Sequence, residues 1–346
     1  MKLLIVSDAW EPQINGVVRV YQNLIREIEA MGHEVEVIGP DRFISMPMPG
    51  YSEIRLSLFA GPKLRKLMAA FKPSVVHIAV EGPLGWAARA FCIKHHIPFT
   101  TFFHTQFPDY VAARVAFSGK ALTARVREAM VALVRHFHAP ARYTYVTTQS
   151  IEDQLKAWGC QQPLKRLACG VDFSVFHTGP KTLFAELPKP VHLFVGRIAI
   201  EKNIAAFLDL PLEGSKVVVG QGPQLDELRA RYPDVIFTGP KVGQELGDHF
   251  RSADVFVFPS LTDTFGLVIV EAMACGLPVA GYNVTGPKDI ITDDTLGAVD
   301  TDLGRAVARA LASGGTPQGR NAHAQKLYSW PAIAKRFVET EASAAQ

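Results

Sequence analysis

Two α/β domains, each a doubly wound parallel sheet, are what this 346-residue sequence predicts. Short apolar runs alternate with amphipathic stretches along its whole length, the pattern of buried parallel strands covered by helices. The alternation falls into two sets, separated by a Pro- and Gly-bearing segment at residues 178–190 that reads as a linker. Hydrophobic residues make up 48% of the chain, enough for two separate cores.

The first set of predicted strands covers residues 3–7, 34–38, 75–79, 99–103, 143–147 and 165–168. The second covers 191–195, 216–220, 235–238, 255–258 and 278–281, with helical stretches between. Residues 321–341 read as one helix whose stripe of Leu327, Trp330, Ile333, Phe337 and Val338 is for packing. The resulting domains are 1–177 and 178–324, with a tail of 325–346. Ligands of such folds sit at the carboxyl ends of strands, here expected in a cleft between the domains.

Four scattered cysteines, Cys92, Cys160, Cys169 and Cys275, have neither CxxC nor disulfide spacing and fit a reducing cytoplasm. The opening Met-Lys-Leu-Leu-Ile-Val-Ser-Asp has too short an apolar run for a signal peptide and reads as a first strand. No run approaches transmembrane length. Lys and Arg outnumber Asp and Glu by 20 to 13 in residues 1–170 and are outnumbered 16 to 20 in the remainder. Residues 61–142 hold 12 basic and 3 acidic side chains, which points to an anionic acceptor or membrane surface, with an incidental solvated face as the competing reading. Lys63, Arg65, Lys66, Arg114, Arg125, Arg127 and Arg135 carry this excess, and Leu64, Leu67, Val126, Met130 and Leu133 are candidate inserting groups that could equally be core.

The most informative motif is Ser260 to Gly276, which plants Glu271 among Leu267, Val268, Ile269, Val270, Ala272 and Met273. A carboxylate in an apolar helix demands hydrogen-bond partners, and a sugar diol is one. Asp263 precedes the same helix. In the second domain, the first strand ends in Gly196-Arg197 and leads to Glu201-Lys202, two cations suited to a diphosphate unless Glu201 pairs with them. In the first domain, Asp8 to Val18, with Asn15-Gly16 before a helix, forms a loop that could cradle a phosphate or be an ordinary turn. It lacks GxGxxG spacing, which argues against a dehydrogenase. His104 ends the fourth strand of that domain and leads into Thr105-Gln106-Phe107-Pro108-Asp109-Tyr110. The turns at Gly222 and at Gly239 to Val242 suit backbone recognition of a base, with a plain turn as the default reading of both. Asp300 and Asp302 lack a third ligand nearby, so no metal site is expected.

Together, Asn15-Gly16, His104, Gly170-Val171-Asp172 with Phe176, Gly196-Arg197 with Glu201-Lys202, and the run from Asp263 to Glu271 resemble the family 4 retaining glycosyltransferases of GT-B fold. The resemblance spans nearly the whole chain, with the motifs in the family's order. It is narrowest to the lipid-glycosylating branch, the glycosyl and sulfoquinovosyl diacylglycerol synthases and the glycolipid mannosyltransferases. That resemblance implies two Rossmann-like domains facing across a cleft, the first for acceptor and the second for donor, with the tail helix crossing back to the first. It implies that Glu271 holds the donor ribose, that Asp263 contacts the donor sugar, and that Phe265, Gly266 and Leu267 offer backbone N–H groups. Gly196 belongs to the donor loop, Arg197 and Lys202 bind the diphosphate, Gly16 closes on it, and His104 sits beside the reacting sugar.

The family's usual first Glu is Asp263 here, an arm one methylene shorter, which could retune donor choice. The expected activity is a metal- and cofactor-independent hexosyltransferase taking a UDP-sugar, or GDP-mannose, to diacylglycerol or a glycolipid. The expected location is cytoplasmic, peripheral on the inner face of the membrane, with no nucleic acid partner. The alternatives are a nucleotide-sugar 2-epimerase and a non-catalytic nucleotide-sugar-binding protein.

Overall fold

The computed structural model describes residues 1–13, 16–48, 51–104, 106, 108 and 119–345, with the side chains of 48, 51–54 and 120 outside that description. Asn15, Thr105, Phe107, Asp109, Tyr110 and Arg114, singled out above, lie outside the described residues. The chain forms two compact units, Met1–Ala168 with Trp330–Gln346, and Cys169–Ser329.

The first unit is built on a parallel sheet of β1 (Lys2–Val6), β2 (Glu34–Ile38), β5 (Val75–Ile78), β6 (Phe99–Phe103), β7 (Tyr143–Val146) and β8 (Leu164–Arg166), in the order β2-β1-β5-β6-β7-β8. β5 and β6 are buried at every position, as expected of central parallel strands covered on both faces. A hairpin that the sequence reading missed, β3 (Ser45–Met48) with β4 (Tyr51–Ser57), pairs antiparallel outside this sheet. The strand order reverses between β1 and β5, so the loops leaving these two strands diverge and open a natural binding position.

The second unit repeats the plan with β9 (Val191–Val195), β10 (Ser215–Val219), β11 (Ile236–Gly239), β12 (Val255–Phe258), β13 (Val279–Tyr282) and β14 (Gly297–Asp300). Its order is β11-β10-β9-β12-β13-β14, with the reversal between β9 and β12. The short, Gly-led β14 was not anticipated. The fully buried β9 packs Phe194 with Ile198, Phe207, Val218, Val255 and Val257 in one core. Three helices of the unit are set by local chemistry: Gly266 enters Leu267–Ala274, Asp302 caps Leu303–Leu311, and Thr316 caps Pro317–Tyr328 with Pro at its first turn.

The single tail helix expected at 321–341 is two helices, Pro317–Tyr328 and Trp330–Ala344, broken at an extended Ser329. Pro331 explains the break. A continuous helix would bring its ring against the Leu327 carbonyl and leave that carbonyl without its N–H donor. Leu64, offered above as a membrane-inserting group, is fully buried in the first unit's core beside Met68 and Leu84, and Leu67 packs against that core. The stripe of its helix, Gly61–Phe71, thus faces inward, while Lys63, Arg65 and Lys66 are exposed.

Candidate active site

In the second unit, the loops leaving the two switch-point strands are tied together. Lys202, at the end of the 3₁₀ turn Ile200–Lys202 after β9, donates through Nζ to both Asp263 oxygens, at 2.6 Å to Oδ1 and 2.9 Å to Oδ2. Asp263 belongs to the loop after β12. Asn203 donates to the Pro259 carbonyl at 3.1 Å, and the buried Ser260 hydroxyl donates to the Glu201 carbonyl at 3.3 Å. The cation and acid that the sequence analysis assigned to separate parts of a ligand are therefore partners of each other, and the Glu201 ion pair considered for Lys202 is not the one formed. Both side chains remain partly exposed, at 25% and 18%, so an incoming anion can still reach the ammonium. Arg197, one residue past Gly196, is exposed.

The Asp263 loop enters the helix Leu267–Ala274 through Gly266, whose φ of +92° lies in the left-handed region. That φ is what favours glycine here; a Cβ would also crowd Ile269 Cδ1 at 2.9 Å and Phe258 Cζ at 3.1 Å. Phe265 is buried edge-on to Tyr328, with ring centroids 5.8 Å apart, and this fixes the entry angle. One turn further on, Glu271 is 4% exposed, a buried carboxylate in a helix otherwise apolar along its length. The first turn of that helix offers its backbone N–H groups, which favour anions.

Gly222 has a structural reason for being glycine. Its Cβ would lie 2.3 Å from the Ile198 carbonyl oxygen, and Ile198 N–H donates to the neighbouring Gln221 carbonyl at 2.9 Å. The turn after β10 thus supports the loop after β9. Val242, 80% exposed, stands at the amino end of Gly243–Ser252. Asp300 and Asp302 are engaged locally: Asp302 caps its helix, and Asp300 accepts from the Asp302 N–H and Arg305, which hold its carboxyl down at about 2.

In the first unit, Gly16 is the exposed first residue of the helix Gly16–Ala30. The buried Asp8, just past β1, takes N–H groups of Leu84 at 3.0 Å and Gly85 at 3.1 Å at the start of the helix Pro83–Lys94, after β5. A Cβ on Gly82 would meet Asp8 Cγ at 2.3 Å, so that glycine makes room for the cap. Burial pushes the Asp8 carboxyl up to about 6 against the pull of the two amide donors. His104 follows β6, is 9% exposed, and stacks on Phe102 at 3.9 Å. Burial, then the neighbouring His77, lower its pKa to about 3, so its ring is neutral. Its Nε2 lies 3.1 Å from the Tyr21 hydroxyl, the entrance to a buried polar chain through His77 and Thr100 to Glu341. Sequence reasoning missed this chain. The signals were a histidine within Val75-Val-His-Ile78 and a glutamate one turn beyond Phe337 on the buried stripe.

Sequence comparison bears on what such a site does. Residues 14–175 match the model of Glycosyltransferase Family 4, and residues 189–313 that of Glycosyl transferases group 1. A GDP-mannose-dependent alpha-mannosyltransferase of Mycobacterium tuberculosis is 30% identical over 86% of this chain and 83% of its own length. The chain belongs to glycosyltransferase family 4. This glycosyltransferase is also 31% identical to the sulfoquinovosyl transferase SQD2 of Arabidopsis thaliana over 82% of the chain, a match spanning 60% of that protein. It is 30% identical to an alpha-monoglucosyldiacylglycerol synthase of Acholeplasma laidlawii, over 81% of this chain and 79% of the relative. Among solved structures, sucrose-phosphate synthase from Thermosynechococcus elongatus aligns with a TM-score of 0.77 at 20% identity, covering 99% of this chain and 98% of that one. The fold is GT-B, two Rossmann-like α/β domains.

The Asp8 cap makes a pH prediction. A carboxyl raised from 3.8 to about 6 on folding stabilises the fold fully below its unfolded value, and that contribution is lost as pH rises through about 6. Denaturant titrations from about pH 4 to about pH 7 should show wild type losing up to roughly 3 kcal/mol relative to Asp8→Asn. A constant difference across that range would remove the raised carboxyl from the account.

Proposed function

We propose that this glycosyltransferase moves a hexose from a nucleoside diphosphate donor to a lipid acceptor, with retention of anomeric configuration. The observation that carries the reading is the Lys202–Asp263 pair at the reversal of the second sheet, on the loop that leads into the Glu271 helix. In this reading Glu271 takes the ribose hydroxyls, and the amides of Phe265, Gly266 and Leu267 face sugar and phosphate. Arg197 and Lys202 meet the diphosphate, one as a planar fork and one as a point charge. Asp263 holds Lys202 in place and contacts the donor sugar. The turns at Gly222 and Val242 flank the base, Gly196 gives the donor loop its close approach, and Gly16 offers an amide to phosphate. His104 serves the sugar being transferred.

The bond between the anomeric carbon and the diphosphate oxygen breaks while the acceptor oxygen bonds to that carbon on the same face. The acceptor's proton goes to the departing diphosphate, whose negative charge the two protein cations stabilise. These side chains supply the positive charge the step requires, so the reading assigns no metal ion to it.

A uridine donor is the first choice. The mannosyltransferase relative, named for GDP-mannose, supports a guanosine donor as the second reading. The relative named for monoglucosyldiacylglycerol supports a lipid acceptor. So does a surface of the first unit: Phe59 is 94% exposed, with φ +50° uncommon for an aromatic residue, and precedes the helix Gly61–Phe71 that carries exposed Lys63, Arg65 and Lys66, while its chain neighbour Leu58 donates to the carbonyl of exposed Ile44 at 2.8 Å. Among the described residues no helix is long and apolar enough to cross a membrane. The contact this reading assigns to the Phe59 surface is peripheral, on the inner face of the membrane.

In a thermal-shift screen, saturating UDP raises Tm and ADP does not; a shift with GDP alone selects the second reading, and none with any nucleotide rejects the donor assignment. Arg197→Ala and Lys202→Ala should each lower kcat about 100-fold or more with the selected donor, and unchanged turnover would remove the clamp. Phe59→Ser should weaken sedimentation with anionic phosphatidylglycerol vesicles about tenfold, and undiminished binding would exclude this surface.

A further inference from the structure

Arg320, on the helix Pro317–Tyr328, is a buried cation with no acid beside it. It is 4% exposed, and its guanidinium donates to three neutral oxygens: the Thr295 carbonyl at 2.8 Å, the Gly276 carbonyl at 3.2 Å and the Ser313 hydroxyl at 2.5 Å. Those bonds require N–H donors rather than a charge, and they use three of the five N–H groups of a guanidinium. Burial lowers the pKa of Arg320 from the ordinary arginine value, and no carboxylate opposes the shift. Arginine stays protonated in proteins all the same, and a buried charge without a counter-ion is costly.

Arg320 lines a cavity of about 470 Å³ at the amino ends of β12 and β13. Lys181 and Arg251 line it too, against the single acid Asp254. Lys181 pairs with Asp254, and the buried Arg251 pairs with Asp248 and donates to the Val175 carbonyl at 3.1 Å, so Arg320 is the cation of the three that lacks an acid. Residues 275–278, the turn that ends the Glu271 helix, complete one wall. The carbonyls at that helix end, which would repel an anion, are covered: Glu271, Ala272 and Met273 take the N–H groups of Cys275, Leu277 and Gly276, and Ala274 takes Asn321 Nδ2 at 2.5 Å.

We propose that this cavity binds a small soluble phosphate ester, with the Arg320 guanidinium as its principal charge and Arg251 and Lys181 lining the same site. The volume lies in the range of small-molecule pockets, the planar fork of arginine matches a phosphate, and a phosphate monoester brings nearly two negative charges at neutral pH. The site lies at the opposite end of the Glu271 helix from the donor loops, and it stands independently of the functional reading above.

The test is calorimetric titration of full-length Lys202→Ala, which removes a cation of the proposed donor site, with glucose 6-phosphate. A Kd below about 1 mM is expected, with glucuronate, a carboxylate on a similar ring, about tenfold weaker. Hydrogen exchange should place the protection at residues 274–279 and 311–320, with none at 196–203. Gln318→Glu puts a negative charge on an exposed part of the wall, in a first helical turn where an acid is favourable, so the fold is kept while binding weakens about tenfold. Arg320→Met should abolish binding, with Tm measured alongside because three hydrogen bonds are lost with it. Absence of binding at about 10 mM glucose 6-phosphate, affinity unchanged in Gln318→Glu, or glucuronate binding as tightly overturns the proposal. Phosphatidic acid vesicles bound by wild type and released by Gln318→Glu, with no binding of glucose 6-phosphate, would also overturn it, giving the cavity to a lipid headgroup.

Discussion

The second unit depends on one adjacency, that of β9 and β12 at the point where the sheet reverses its winding. Parallel strands buried on both faces have no polar side chains to spare, so polar groups collect in the loops at their carboxyl ends. Where winding reverses, two such loops turn apart, and something must hold their geometry. Here Lys202 and Asp263 bridge them, with Asn203 and Ser260 adding bonds to the opposite backbone. A partly exposed ion pair of this kind contributes only about 1 kcal/mol to stability. Its greater consequence is that a flexible cation on a four-carbon stem is held in one place; under the proposed function it exchanges this carboxylate for a phosphate.

The first unit solves the same problem differently. Its reversal lies between β1 and β5, and the loop after β1 sends Asp8 into the start of the helix that follows β5. That acid is consumed by the fold, with Gly82 cleared to admit it. One strand further on, His104 after β6 meets the Tyr21 hydroxyl, the start of a buried polar chain that ends on the tail helix. The tail is thereby more than packing, since its fully buried Glu341 accepts from Thr100 and Tyr145 on two strands of the sheet.

Much of this was legible in the sequence. Central strands such as 99–103 and 191–195 are largely apolar runs, so the strands could be read, and the glycines and cations that follow them in sequence could be named as candidates. The β3–β4 hairpin was not legible because Pro47, Pro49 and scattered polar residues blur the period of two. β14 is four residues long and opens on glycine. The sequence left Leu64 open between lipid and core, because a basic amphipathic helix looks the same whichever its apolar stripe meets, and the fold places it in the core. The Lys202–Asp263 pair and the Glu341 chain join residues far apart in sequence, and only the folded sheet brings such residues together. The break in the tail was missed although Pro331 carries its signal.

The central claim is that the reversal of the second sheet holds the donor nucleotide. Hydrogen exchange of the whole chain with and without saturating UDP or GDP tests it most directly. The account predicts added protection concentrated in residues 196–203 and 260–275, the loops after β9 and β12 with the Glu271 helix. Protection elsewhere in the second unit, such as the separate cavity lined by Lys181, Arg251 and Arg320, with none in those two segments, would contradict it.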